Sequence, residues 1–99
     1  MLPNLLARSA NGLIIYRSIL RVLMFLPADV HKQARDAYRQ FKNNRYHPSL
    51  HFKKVHSRRP IYSARINIYY RAVGIIDGEE IIWFWIGPHK DYEKLLARL

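Results

Sequence analysis

The chain has no cysteine, only seven acidic residues against seventeen lysines and arginines, and no uninterrupted apolar run of membrane length. The first absence excludes disulfides and thiolate metal sites, so packing alone holds the fold, as suits a reducing cytosol. The longest apolar stretch, Leu13 to Leu26, is broken by Arg17 and Arg21, which are costly at the centre of a bilayer. No small-residue cleavage site follows it, so neither a membrane anchor nor a secretory leader is expected. The scarcity of carboxylates leaves a formal net charge of +10 on 99 residues. That length fits one domain with a modest core, residues 1–99, with 1–17 as a divergent extension or first strand.

The charge is not spread evenly. Residues 31–71 carry eleven basic side chains against the single Asp36, a net of +10, whereas residues 72–99 carry three basic and five acidic, a net of −2. Lys and Arg interleaved with Tyr, His and Phe form the footprint of a surface that binds a polyanion, nucleic acid being the commonest. An acidic protein partner fits the same pattern. Solvated helix faces and edge lysines that discourage aggregation are the plainer reading, but such faces normally mix signs.

Periodicity divides the chain. Leu13 to Arg17 reads as a first strand and Ser18 to Leu26 as a short helix. Residues 1–12 are expected to be an extension or an added helix. From Pro27, the residues Val30, Ala34, Ala37, Tyr38 and Phe41 recur at helical spacing, predicting a helix over Ala28 to Asn43. Beyond Pro48 short runs rich in Ile, Val, Tyr and Phe predict strands over Leu50 to Val55, Ile61 to Ile68, Tyr69 to Ile76 and Glu80 to Ile86. Asp77-Gly78 is a hairpin signal, and Asn67 is a residue suited to a left-handed turn. The fold class is α+β: a small antiparallel sheet of four to five strands with two N-terminal helices on one face. The other face is then free for function.

Alternation selects the side chains on that free face. Tyr62, Ala64 and Ile66 share one side of their strand, which leaves Ser63 and Arg65 on the other. Arg71 begins the next strand, and Lys53 and Lys54 straddle both faces of theirs. The dense strand Ile81 to Ile86 stops at Gly87-Pro88, and His89, Lys90 and Tyr92 follow where a rigid strand could aim them. Trp83, Phe84 and Trp85 read as core or partner-groove residues. His47 and His51 form a His-x-x-x-His, but Pro48 breaks the helix that would align them and no carboxylate accompanies them, so no metal site is expected.

The segments His47-Pro48-Ser49-Leu50-His51-Phe52-Lys53-Lys54, Ile61-Tyr62-Ser63-Ala64-Arg65-Ile66, Tyr70-Arg71-Ala72-Val73-Gly74 and Trp83-Phe84-Trp85-Ile86-Gly87, with His89 and Tyr92, resemble the RelE/ParE superfamily of bacterial toxin-antitoxin toxins. The likeness runs from about Ser18 to Leu96 and is greatest to the RelE-type branch. It implies a cytoplasmic toxin that cleaves messenger RNA, often in the ribosomal A site, without a metal or other cofactor. It also implies a cognate antitoxin bound as a hetero-oligomer. By resemblance, Arg71 is the phosphate-binding arginine and His89 and Tyr92 are acid/base groups; Lys53, Lys54, Arg65 and Lys90 supply RNA- and phosphate-binding charge. Histidine titrates near neutrality, which makes His89 the better proton shuttle. Tyr92 is expected to donate a hydrogen bond or stack on a base.

The chain departs from the family at Pro88, at Asn67 in place of a common glycine, and in its first 17 residues. Pro88 could fix or misaim the imidazole behind it. A ParE-like inhibitor of DNA gyrase and a non-catalytic RNA-binding module remain the alternative readings.

Overall fold

Val30, Ala34, Ala37 and Phe41 turn one face of a sixteen-residue helix, Ala28–Asn43 (α1), toward the sheet. Pro27 precedes it, Asp29 in its first turn and Lys42 in its last suit the helix dipole, and the chain leaves it at Asn44. The computed structural model describes residues 6–8, 14–16, 26–78 and 80–99. The helix expected over Ser18 to Leu26 lies outside them apart from Leu26, which packs against the core beside α1.

The strands are Leu6–Arg8 (β1), Ile14–Tyr16 (β2), Lys53–Lys54 (β3), Ile61–Arg65 (β4), Tyr70–Asp77 (β5) and Glu80–Pro88 (β6), in the spatial order β1-β2-β6-β5-β4-β3. The four strands β3 to β6 form the expected antiparallel block. The first strand, β2, lies within the predicted Leu13 to Arg17 and joins that block parallel to β6. A strand at Leu6–Arg8, where an extension or helix was expected, pairs antiparallel with β2 at the sheet edge.

Two strands, β3 and β4, are shorter than expected for local reasons. Pro48 opens a 3-10 turn, Pro48–Leu50, stabilised by the Ser49 amide donating to His47 Nδ1, and His51 leaves it at φ 44°, so β3 keeps only two residues. β4 stops at Arg65 because the Asn67 side chain accepts the amides of Tyr69 and Tyr70 at 2.7 and 2.9 Å. Asn67 therefore turns the chain through its side chain; positive φ among the described residues falls only at His51 and Gly78. Gly78, at φ 63°, turns the β5–β6 hairpin closed by Asp77 and Glu80, as its sequence predicts.

The sheet has two covered faces. Under α1 lie Phe41, Leu50, Ala64, Ile81, Trp83 and Ile86, with Phe41 meeting Phe52 and Trp83 edge-on at ring distances of 5.2 and 5.3 Å. The opposite face carries Ile61, Val73 and Tyr92 with Val55, Ile75, Phe84, Trp85, Leu95, Leu96 and Leu99. It is covered by a helix that sequence reading did not anticipate, His89–Arg98 (α2). The second face is therefore not left free as expected. Tyr92, Leu95, Leu96 and Leu99 recur at helical spacing, and burying that stripe closes part of the face.

A bulge in β6 decides what the second face displays. Val73 pairs with Trp85 but Gly74 pairs with Trp83, so Phe84 is the extra residue. Trp83 and Ile86 point into the α1 core, while Phe84 and Trp85 both point under α2. A single extra residue reverses the facing of everything after it. Without it, Gly87 and the start of α2 would arrive on the wrong side of the sheet.

Candidate functional site

Residues directly opposed in an antiparallel pair share a face. One row across the sheet runs Lys53, Ser63, Val73 and Trp85; the next runs Arg65, Arg71 and Gly87. Val73 and Trp85 belong to the face under α2, so Lys53, Arg65 and Arg71 are brought together there. Lys54 opposes Tyr62, whose ring stacks on Phe52 at 4.9 Å in the α1 layer, and so lies on the other face. The expected set is thereby divided: the sheet gathers Lys53, Arg65 and Arg71, and separates Lys54 from them.

Arg65 and Arg71 are half-buried residues directly opposed across β4 and β5. Like charges so opposed destabilise a sheet unless something anionic lies between them. Arg71 Nη1 donates to the carbonyl oxygens of Asn67 and Tyr70 at 2.7 and 3.0 Å, which fixes the guanidinium at the strand end. Burial, and then the Arg65 charge, push Arg71 below its ordinary pKa, while Tyr92 acts in the opposite sense. Among the described residues no carboxylate pairs with either arginine.

Gly87 sits beside Arg71 and must lack a side chain. A Cβ there would come within 2.8 Å of the Trp85 indole, whose ring lies over this position. Pro88, at φ −64° and ψ 153°, pairs with Tyr70 and caps α2, and the next amide, His89 N, donates to Tyr69 O at 2.7 Å. The proline therefore fixes the approach of His89 to the sheet. His89 Nδ1 lies 3.2 Å from Glu93 Oε1, one helical turn on. A proton on Nδ1 shared with that carboxylate leaves Nε2 as the acceptor. Lys90, exposed in the same first turn, adds charge at the rim.

Tyr92 does not have the exposure that stacking on a base requires. It is only 6% exposed, and its hydroxyl donates to Ser63 Oγ at 3.1 Å, Ser63 itself being 2% exposed. Its ring stands 5.5 Å from the His89 ring. Tyr92 thus braces the first turn of α2 against β4. Sequence reading missed Glu93 as the partner of His89, because it treated the segment after Pro88 as a strand end. The periodicity of Tyr92, Leu95, Leu96 and Leu99 would have revealed the helix and, with it, the i,i+4 pair.

On the other face, a groove of about 420 Å³ lies between α1 and the sheet, lined by Ala34, Ala37, Phe41 and Trp83 and rimmed by Arg35, Arg39 and Lys42. Trp83 Nε1 is buried without a hydrogen-bond partner among the described residues. The described residues contain no group of three or more histidine or carboxylate side chains able to hold a metal, and no helix among them is long and apolar enough to cross a membrane.

Residues 28–94 match the family model of the ParE-like toxin domain. Among solved structures, a chain of the RelB-RelE antitoxin-toxin complex from Methanococcus jannaschii is similar at a TM-score of 0.66. The likeness covers 82% of this chain and 95% of that one at 17% sequence identity, and is therefore a likeness of fold. No curated protein sequence matches the chain.

Proposed function

The chain belongs to the ParE-like toxin domain family, and from that premise we propose that it is the toxin of a toxin-antitoxin pair and acts as a metal-independent endoribonuclease on messenger RNA at the ribosome. The observation that carries this reading is the opposed pair Arg65 and Arg71, with no carboxylate partner among the described residues, one strand from His89. A phosphate resolves the repulsion between the two guanidinium groups, and a phosphorane with more charge resolves it better.

In this reading the RNA 2′-hydroxyl attacks the adjacent phosphorus and the bond to the 5′ oxygen breaks, giving a cyclic phosphate and a free 5′-hydroxyl. His89 Nε2 takes the 2′ proton, Glu93 steadies the imidazolium that forms, and solvent protonates the leaving oxygen. Arg71 and Arg65 neutralise the phosphorane. Lys53 and Lys90 draw the strand in from the rim, and Tyr92 acts by positioning the turn that bears His89. Lys54, on the other face, contributes to the general field.

The partner is a cognate antitoxin, as in the complex that the fold resembles. An acidic segment that folds on binding suits the groove under α1, with its apolar floor and its rim of Arg35, Arg39 and Lys42.

Expression in bacteria with mapping of messenger 5′ ends tests the reading. Codon-phased cuts that vanish with Arg71→Ala support it, and unaltered cutting by both Arg71→Ala and His89→Ala rejects it. The family match also favours a second reading, inhibition of DNA gyrase, whose mark is gyrase-linked DNA breaks with messenger RNA intact.

A further inference from the structure

Two large side chains stand out in solvent at the tip between β4 and β5: Ile68 is 63% exposed and Tyr69 is 70% exposed. The turn that carries them is held at several points. Asn67 Oδ1 accepts the amides of Tyr69 and Tyr70, Asn67 Nδ2 donates to Gln33 Oε1 at 2.6 Å, and Arg71 Nη1 donates to Asn67 O. A fixed turn that displays an aromatic ring to water has already lost the entropy that binding would otherwise cost.

The position of that ring is specific. The β5–β6 ladder continues one step past Tyr70 and Pro88, with His89 N donating to Tyr69 O. Tyr69 is therefore the cross-strand neighbour of His89. It stands two residues before Arg71, at the same end of the sheet. Arg71, the proton-accepting histidine and an exposed phenol thus occupy adjoining positions, spaced about 7 Å along the strand between Tyr69 and Arg71. Tyr69 makes no ring contact among the described residues, so its face is open to a ligand.

We propose that Tyr69 is a base-binding residue: its ring stacks on the nucleobase next to the phosphate held by Arg71 and Arg65, setting which nucleotide stands before His89. The proposal rests on the ribonuclease reading above and deepens it. Stacking on a tyrosine face discriminates little between bases, so Tyr69 supplies affinity and register and leaves sequence choice to its neighbours.

The test uses the full chain and a short single-stranded RNA that carries 2-aminopurine and 2′-O-methyl sugars, which cannot be cut by 2′-hydroxyl attack. Anisotropy reports binding and 2-aminopurine fluorescence reports stacking. The wild type and Tyr69→Phe are expected to bind with equal affinity and quench the probe; Tyr69→Ala binds roughly ten- to a hundredfold more weakly and loses the quenching. Tyr69→Ala that binds and quenches like the wild type overturns the proposal while leaving the ribonuclease reading intact. If the wild type binds neither this RNA nor the same sequence programmed into ribosomes, the ribonuclease reading falls and the proposal with it. If Tyr69→Ala leaves RNA binding unchanged but weakens capture of the antitoxin, the turn is a protein contact and the proposal is wrong. Because Tyr69 is exposed, circular dichroism of the variant should match the wild type.

Discussion

Arg65 and Arg71 face each other across β4 and β5 as a directly opposed pair, on the side of the sheet that α2 covers. A pair of like charges in that position opposes folding and favours an anion, so the two effects should separate on mutation. Arg65→Gln is expected to raise stability by about 0.2–1 kcal/mol while weakening RNA binding. Thermal melts at low and high salt check this, since screening should shrink the gain. A variant that loses both stability and binding would mean that Arg65 is structural.

The His89 side chain is 44% exposed, with its Nδ1 side occupied by Glu93, and in the proposed mechanism it takes the 2′ proton. His89→Gln should reduce cleavage by about 10²- to 10⁴-fold and leave RNA affinity within a few-fold of wild type. Comparison of single-turnover rates with binding isotherms separates the two. Equal losses in both would make His89 a binding residue only.

Tyr92 and Ser63 form a buried hydroxyl pair. Tyr92→Phe leaves Ser63 Oγ without its donor and should cost about 1–3 kcal/mol, whereas adding Ser63→Ala should recover most of that loss. Denaturant midpoints of the single and double variants measure it. Cleavage by the double variant should stay close to wild type. Collapse of cleavage with stability restored would show Tyr92 to be chemically engaged.

Gly74 lies at the register shift, where a Cβ would stand 2.9 Å from Trp83 Cε3 and 3.0 Å from the Ile82 carbonyl oxygen. The carbonyl is backbone and cannot swing away. Gly74→Ala should cost about 1–3 kcal/mol, read from its denaturant midpoint. Wild-type stability in this variant would contradict the tight packing at the bulge.

The sequence made some of this legible and hid the rest for identifiable reasons. The stripe from Val30 to Phe41 gave α1 its bounds, and alternation around Ser63 and Arg65 placed Arg65 on the correct face. Strand ends were less readable, because His47, Pro48 and Asn67 terminate pairing through side-chain hydrogen bonds and a 3-10 turn rather than by a change in hydrophobicity. The bulge at Phe84 was invisible: a run such as Ile81 to Ile86 is apolar at every position, so alternation carries no register. That is also why the covered second face was missed. The stripe of α2 begins only after Pro88, at Tyr92, and needs four residues to declare itself. Tyr69 and Glu93 acquire meaning only once the ladder and the helix place them beside His89.

The end groups of cut RNA test the central claim most directly. Messenger RNA bound to ribosomes is treated with the protein, and the fragments are analysed at both ends, with a parallel message carrying 2′-deoxy sugar at the cut site. Attack by the 2′-hydroxyl with His89 and the arginine pair predicts a cyclic phosphate on one fragment and a 5′-hydroxyl on the other, with no cutting of the deoxy message or by Arg71→Ala. Fragments with 5′-phosphate ends, or an intact message accompanied by gyrase-linked DNA breaks, would contradict it.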